Sequence, residues 1–221
     1  MDIIYGTRNL AKLASMQKCL DGLKQRHGLN IIGLGRYGDI LPDIEENGGD
    51  PLENARIKAF AYYKHINKPL FSLDSGLYFD GLPEHLQPGL DVRRVNGKRL
   101  NDDEMIAYYS QLSKDYGGRL IGRYINGICL ILDKDTVFEH MGEDIASEKF
   151  MLTPEPHKKR VEGFPLDSLS VHIKSSQYYY DLYEARANTE DDLADFDKEW
   201  AWQTDSGFKG FFSSVIEALG K

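Results

Sequence analysis

The sequence is poor in the features that mark several protein classes. Its two cysteines, Cys19 and Cys129, lie far apart and outside any Cys-x-x-Cys or Cys/His cluster. We therefore expect neither a disulfide framework nor a structural zinc site, and a reducing, cytoplasmic setting is favoured. No apolar run approaches the ~20 residues of a membrane-spanning helix. The first residues, "MDIIYGTRN", lack the basic region and long apolar segment of a secretory signal and instead predict a strand.

Basic charge is also scarce. Lys and Arg number 27 against 35 Asp and Glu, which gives a net charge of −8. Binding to polymeric nucleic acid usually requires a basic face, so we do not expect it here. A small phosphorylated ligand remains compatible with this balance, because a few local lysines and a metal ion can hold one. The 221 residues, of which 41% are hydrophobic, are enough to bury a core in one large domain.

Apolar spacing in the first third of the chain alternates between the two regular patterns. Short apolar runs predict strands and a helical period predicts helices, in the order strand, helix, strand, helix, strand. The segments are "DIIYG" at 2–6, a helix over 9–27, "LNIIGL" at 29–34, a helix over 52–66 and "PLFSL" at 69–73. This alternation predicts an α/β fold with a parallel or mixed sheet.

The later part of the chain continues with mixed elements. Residues 101–116 predict a capped helix, residues 118–143 predict two antiparallel strands joined by "DKD", and residues 205–221 predict a closing helix. The acidic run "EDDLADFDKE" at 190–199 is typical of a solvated helix face or loop. We find no internal repeat or linker. We therefore expect residues 1–221 to form a single domain with two lobes.

The stretch "GLGRYG", residues 33–38, matches the Gly-x-Gly-x-x-Gly pattern of dinucleotide-binding folds. That function also requires a helix to open directly after the glycines, so that its N-terminus can hold a pyrophosphate. Here Pro42 and Pro51 follow and no helical period appears. A Gly-rich surface loop is the better interpretation.

The stretch "GTRNLAK" lies where the first strand turns into the first helix. Free backbone N–H groups and the positive end of a helix make such turns suitable for phosphate. Thr7 and Asn9 can add hydrogen bonds, and Lys12 can reach back as a point charge. The alternative is that Thr7 or Asn9 caps the helix and Lys12 is solvated.

Two acidic segments follow in order. In "DIEENGGDPLENARIKA", Glu45 and Glu46 precede two glycines, and Asn54 and Lys58 share one face of the next helix. In "SLDSGL", Asp74 stands at the predicted end of a strand, where ligands of open α/β sheets bind. Carboxylates at two places suit Mg²⁺ with substrate phosphates. The alternatives are an exposed acidic loop and a simple Asp-Ser-Gly turn.

These motifs together resemble those of the inosine triphosphate pyrophosphatase family, the house-cleaning nucleoside triphosphate pyrophosphatases. The family's T-G-N-x-x-K is similar to residues 7–12, with Arg8 in place of glycine. Its E-x-T-G-x-T-F-x-E-N-A-x-x-K-A is similar to residues 45–59, and its D-S-G-L is present at residues 74–77. A later P-G with a downstream arginine looks like residues 87–97.

The resemblance implies a mixed, elongated central sheet flanked by helices, with two lobes and a cleft between them. It also implies Mg²⁺-dependent hydrolysis of nucleoside triphosphates, mainly deaminated purines, to a monophosphate and pyrophosphate, by a cytoplasmic homodimer. Asp74 would act as or position the general base, and Ser75 would contact the substrate. By the same resemblance the triphosphate would be held by Thr7, Asn9, Lys12 and Lys58, and Mg²⁺ by Glu45 and Asp74.

The later motifs depart from the family pattern. The family's F-G-[WY]-D-P has its nearest equivalent in residues 164–167, which assigns base contacts to Phe164 and Asp167. The family's S-H-R has no clear equivalent, although residues 204–210 occupy about the same place. Two alternatives stay open for this reason: the same chemistry on another modified nucleotide, such as a pyrimidine, or a catalytically weak nucleotide-binding module.

Overall fold

A computed structural model describes residues 1–38, 41–187 and 202–220, and the acidic run at 190–199 lies outside these ranges. The helices are α1 (Leu10–Cys19), α2 (Asp21–His27), α3 (Pro51–Ile66), α4 (Asp102–Asp115), α5 (Tyr179–Ala187) and α6 (Trp202–Leu219). The strands are β1 (Asp2–Tyr5), β2 (Asn30–Ile32), β3 (Leu70–Phe79), β4 (Arg94–Val95), β5 (Lys98–Arg99), β6 (Leu120–Asp133), β7 (Thr136–His140), β8 (Phe150–Leu152) and β9 (Ser170–Val171).

Among the described residues, seven strands share one sheet in the order β2-β1-β3-β6-β8-β9, with β7 also paired to β6. Strand β1 is parallel to both β2 and β3. The pairs β6–β7, β6–β8 and β8–β9 are antiparallel. The predicted mixed α/β fold, with helices flanking a mixed sheet, is therefore confirmed. In the described ranges, no helix is long and apolar enough to cross a membrane.

The chain divides into two compact units. Among the described residues, the first unit comprises residues 1–38, 41–75, 125–146 and 203–220, and the second comprises residues 76–124, 147–187 and 202. In the first unit, stacked Tyr5 and Phe71 (centroids 4.5 Å apart) and Phe212 (5.1 Å from Phe71) lie at the centre of a buried apolar core. The second unit has its own apolar core around Tyr109, which packs with residues of α4, β3 and β8. That the chain is a single domain remains a prediction.

The helix predicted over residues 9–27 is in fact two helices. Leu20 leaves helical geometry (φ −95°, ψ 8°), and α2 begins at Asp21. The apolar spacing continues across the break, since Leu20 and Leu23 are both buried, so the period alone does not reveal it. The other predicted end is correct, because Gly28 closes α2 with the left-handed φ of 67° that glycine tolerates well.

Strand β3 corrects the prediction that a strand ends at Asp74. The strand runs on through the Asp-Ser-Gly sequence to Phe79, because Leu77 and Phe79 are buried and continue the alternation of a strand. Asp74 nevertheless lies beyond the carboxyl end of β1, whose last residue, Tyr5, pairs with Phe71. The carboxylate is therefore at the predicted edge of the parallel strands, although it is within a strand and not at a turn.

Candidate active site

The turn from β1 into α1 forms as predicted and is held by its own polar side chains. The Asn9 Oδ1 atom accepts hydrogen bonds from the N–H groups of Ala11 (2.9 Å) and Lys12 (3.2 Å), so Asn9 caps the helix. The Thr7 hydroxyl oxygen accepts from the Asn9 N–H at 3.1 Å. The structure thus places Thr7, Asn9 and Lys12 on one helix-opening turn, in which the side-chain carbonyl of Asn9 caps the helix.

Gly6 allows this turn to pack closely on its neighbours. A Cβ at this position would lie 2.3 Å from Ser72 Oγ and 2.9 Å from the Tyr62 ring, closer than real Cβ atoms come. The Gly6 N–H donates to the Phe71 carbonyl at 2.7 Å, which continues the β1–β3 pairing into the turn. The turn is therefore fixed directly against β3 and α3, the two elements that carry Asp74 and Lys58.

Asp74 is the acceptor on which two α3 side chains converge. Its Oδ1 accepts from Lys58 Nζ at 2.9 Å, and its Oδ2 accepts from Asn54 Nδ2 at 3.0 Å. Lys58 Nζ is also 2.7 Å from Glu46 Oε2. The Lys58 and Asp74 side chains are only 13% and 14% exposed, so these contacts are partly shielded from water. We call Glu46, Asn54, Lys58 and Asp74 the carboxylate–lysine cluster.

The electrostatics of this cluster are visible in Lys58. Burial alone would lower the pKa of its ammonium group, but the charges of Asp74 and Glu46 outweigh burial and leave the pKa raised. Lys58 is therefore positively charged at neutral pH. One cation paired with two carboxylates is the arrangement expected when neither a polyanionic ligand nor a metal ion is bound to these groups.

Asn54 connects the acidic loop to Asp74. It is 3% exposed, and its Oδ1 accepts from the Gly48 N–H at 2.8 Å while its amide group donates to Asp74. A Cβ at Gly48 would lie within 2.9 Å of Asn54 and of Glu53, so the glycine is needed for this close approach. Both ends of one buried amide are thus engaged, which fixes the rotation of the Asp74 carboxylate.

Ser75 is held by Asn126, a residue that the sequence analysis did not predict as part of the site. The Ser75 hydroxyl donates to Asn126 Oδ1 at 2.6 Å, and Asn126 Nδ2 donates to the Ile145 carbonyl at 2.7 Å. Asn126 is 6% exposed. The available signal was an amide inside the apolar strand "YINGICLIL", since a buried amide normally has hydrogen-bond partners.

The acidic loop places its two glutamates differently. Both are exposed, but Glu46 contacts Lys58, and no contact joins Glu45, the predicted metal ligand, to Lys58 in the described ranges. Within the described ranges, no three His, Cys, Asp or Glu side chains are grouped closely enough to hold a metal ion by themselves. The carboxylates that do converge are those of Glu46 and Asp74, on one Lys58 ammonium. The role of Glu45 stays a prediction.

Phe164 and Asp167 belong to the second unit. Phe164 precedes a short 3-10 turn over Pro165–Ser168. The turn is anchored by Asp102, which pairs with Arg93 at 2.7 Å and accepts from the Gly163 N–H at 3.0 Å. Partial loss of hydration raises the pKa of Asp167 to about 6, although the residue keeps exposed surface that moderates the effect. Their role in binding a base stays a prediction.

Comparison with known proteins supports the motifs of the first part of the chain. A model of the Ham1 family matches residues 3–142, which include every element of the site in the first unit up to β7. The dITP/XTP pyrophosphatase of Streptomyces avermitilis is 33% identical over 120 residues, 52% of this chain and 58% of that protein. That of Coxiella burnetii is 35% identical over 106 residues, 48% and 49% respectively. The chain spans about half the length of the curated relatives it matches.

Solved structures extend the likeness of fold beyond the residues that the family model matches. A HAM1 protein from Coxiella burnetii has a TM-score of 0.67 at 23% identity, covering 98% of this chain and 99% of that one. The nucleoside-triphosphatase / dITP/XTP pyrophosphatase of Mycobacterium abscessus has a TM-score of 0.60 at 23% identity, with 85% and 92% covered. At this identity the likeness concerns the fold. Together with the family match, it confirms the resemblance drawn from the motifs.

Proposed function

This chain belongs to the Ham1 family, and on that premise we propose that it is a Mg²⁺-dependent nucleoside triphosphate pyrophosphatase. Its substrates would be deaminated purine triphosphates such as dITP and XTP, which the names of the relatives specify for those proteins. The observation that carries the proposal is the convergence of Lys58 and Asn54 on Asp74. A carboxylate held in one orientation beside a cation is the arrangement that a general base for water requires.

The reaction is a hydrolysis in which water replaces pyrophosphate at the α-phosphorus. Asp74 would accept a proton from the water while the water oxygen forms a new bond to the α-phosphorus. The bond between the α-phosphorus and the oxygen that bridges to the β-phosphorus breaks, and pyrophosphate leaves with the bonding electrons. The Asn54 amide keeps the Asp74 carboxylate from rotating. Lys58 can exchange its ion pairs with the carboxylates for ion pairs with the phosphates. Phosphoryl transfer depends mainly on this positioning and charge neutralisation. The turn with Thr7, Asn9 and Lys12 would hold the phosphate chain.

The donor groups present fit Mg²⁺. Asp74 and Glu46 already surround one cation, Lys58 Nζ, at 2.9 and 2.7 Å, so the two carboxylates can share a cationic partner. Mg²⁺ commonly uses one or two carboxylates together with water and substrate phosphates, and its chemistry here would be to neutralise phosphate charge. We propose Asp74 and Glu46 as its ligands, with Glu45, the ligand implied by the resemblance, as the alternative in the same loop.

A substrate panel tests the proposal. The purified protein is incubated with Mg²⁺ and dITP, XTP, the four common nucleotides and modified pyrimidine triphosphates, and pyrophosphate, orthophosphate and monophosphate are measured. We expect equal amounts of pyrophosphate and monophosphate from deaminated purines. Orthophosphate as the product would show a different phosphatase.

The same panel decides between this substrate class and two alternatives. The altered segment at residues 164–167 favours another modified nucleotide as the second candidate, with pyrophosphate released from a pyrimidine as its sign. Ligand-dependent melting shifts without turnover would indicate a nucleotide-binding module instead. We also propose that the protein is cytoplasmic and forms a homodimer. Light scattering after size-exclusion chromatography would test the homodimer.

A further inference from the structure

Arg8 stands in the helix-opening turn between Thr7 and Asn9, and its side chain reaches the segment that leads into the acidic loop. Its Nη1 donates to Asp43 Oδ1 at 2.7 Å, and its Nη2 donates to the carbonyls of Leu41 (3.2 Å) and Pro42 (3.4 Å). The Arg8 and Asp43 side chains are 55% and 96% exposed. Such an exposed ion pair is weak, so a ligand of higher negative charge can take the guanidinium from Asp43.

Tyr62 brings an unused hydroxyl to the same turn. It follows Asn54 and Lys58 at intervals of four residues and so lies on the same face of α3. The residue is 6% exposed and its ring packs on Gly6, yet its hydroxyl makes no hydrogen bond to any residue of the described ranges.

Packing places Tyr62 beside the turn that carries Arg8, because its ring contacts Gly6, two residues before Arg8, and Tyr62 shares a face of α3 with Lys58. Burial, the largest effect, raises the pKa of Tyr62, the positive charges of Arg8 and Lys58 lower it, and the negative charges of Glu46 and Asp43 raise it. The electrostatic surroundings agree with this packing, since the charges of Arg8 and of two members of the carboxylate–lysine cluster all act on Tyr62. The Tyr62 hydroxyl oxygen keeps contact with solvent, so its O–H donor is available to an anion bound beside it.

We propose that the Arg8 guanidinium and the Tyr62 hydroxyl form a subsite for the terminal phosphate of a triphosphate, so that the protein selects triphosphates over diphosphates. The inference rests on the proposed function in taking a triphosphate as the ligand. A guanidinium offers two parallel N–H donors that match a phosphate, and the tyrosine supplies an O–H donor to a third oxygen. In the free protein Asp43 and two carbonyls occupy those guanidinium donors.

The competing explanation is that Arg8 only fastens the segment at residues 41–43, and the two explanations differ in sign. If Arg8 binds phosphate, Asp43 competes with the ligand, so Asp43→Ala leaves affinity unchanged or improves it while Arg8→Ala weakens it. If Arg8 only holds this segment in place, both substitutions weaken ligand binding, and Arg8→Ala does so more because it also removes the hydrogen bonds to two carbonyls.

The test measures binding of inorganic tripolyphosphate and of pyrophosphate by calorimetry to the wild-type protein and four variants. We expect Arg8→Ala and Tyr62→Phe to weaken tripolyphosphate binding, Arg8→Ala by about tenfold or more, with much smaller effects on pyrophosphate. Asp43→Ala should bind tripolyphosphate at least as well as wild type. The matched control is Arg56→Ala, which removes an equal charge from α3, where Arg56 pairs with Glu139 at 2.6 Å, and should leave both affinities unchanged. Thermal melting verifies that each variant is folded.

Three results would overturn the subsite: weaker tripolyphosphate binding by Asp43→Ala than by wild type, an unchanged tripolyphosphate affinity in Arg8→Ala, or no wild-type preference for tripolyphosphate over pyrophosphate. Because these are binding measurements, they do not depend on turnover. A wild-type protein that releases no pyrophosphate from any triphosphate contradicts the proposed function alone. An active pyrophosphatase whose Arg8→Ala variant binds tripolyphosphate normally contradicts the subsite alone.

Discussion

Asn54→Ala should uncouple the acidic loop from Asp74. The substitution removes the acceptor of the Gly48 N–H and the donor to the Asp74 carboxylate, both inside a site where Asn54 is 3% exposed. A neutral hydrogen bond contributes about 0.5–1.5 kcal/mol and one to a charged group about 1.5–3 kcal/mol, so the free energy of unfolding should fall by about 2–4 kcal/mol. For a chain of this length that corresponds to a Tm lower by about 5–15 °C.

The catalytic consequence is separable from the stability loss. At a temperature where Asn54→Ala is fully folded, kcat should fall by about 10²-fold, because the Asp74 carboxylate is free to rotate out of the productive geometry. Differential scanning calorimetry and initial rates of pyrophosphate release measure the two effects.

Glu53→Ala is the matched control for Asn54. Glu53 is the neighbouring residue and accepts from the neighbouring loop glycine, Gly49, at 2.7 Å, but its contact is exposed and it does not touch Asp74. We expect a small change in Tm and a nearly normal kcat. A normal kcat in Asn54→Ala, or an equal fall in Glu53→Ala, would refute the idea that Asn54 fixes the orientation of Asp74.

Three further predictions concern other parts of the chain. Asn126→Ala should lower the free energy of unfolding by about 1–3 kcal/mol and raise KM, because it leaves the Ser75 hydroxyl and the Ile145 carbonyl without their partner; unchanged melting and KM would contradict this. Burial raises the pKa of Asp167 from 3.8 to about 6, so the folded protein keeps this proton to a higher pH than the unfolded chain does. The contribution of this group to the free energy of unfolding therefore falls as pH rises from about 4 to about 6. Asp167→Asn should have a higher Tm than wild type above pH 6 and should lose that advantage near pH 4, as melting curves at several pH values would show. Chelation with EDTA should abolish pyrophosphate release and added Mg²⁺ should restore it, whereas full activity in EDTA would exclude the proposed cofactor.

The sequence predicts the fold where the signals are local. Strand, helix and hairpin positions follow from spacing and turn residues, as in the β6–β7 pair joined at Lys134–Asp135. It fails where long-range packing decides. The break at Leu20 leaves the apolar period intact, and β3 passes through Asp-Ser-Gly because Leu77 and Phe79 find buried positions beyond it.

The site shows the same division. Lys58 and Asp74 were predicted as charged partners of a ligand, and the structure brings them to 2.9 Å. Loop geometry determines that Glu46, and not Glu45, reaches Lys58. The sequence of two adjacent glutamates does not show which of them will make this contact. The contact between Ser75 and Asn126 joins residues 51 positions apart, so no local sequence pattern predicts it.

The most direct test of the account compares pyrophosphate release from dITP by the wild-type protein and by Asp74→Asn, with Mg²⁺ present. The amide fills the same space, can still accept from Asn54, and leaves Lys58 its contact with Glu46, so the variant should remain folded. We expect wild type to release pyrophosphate and monophosphate in equal amounts and the folded variant to lose about 10²–10⁴-fold in kcat. Equal turnover by the two proteins, or orthophosphate as the wild-type product, would contradict the central claim that Asp74 is the base of a pyrophosphatase.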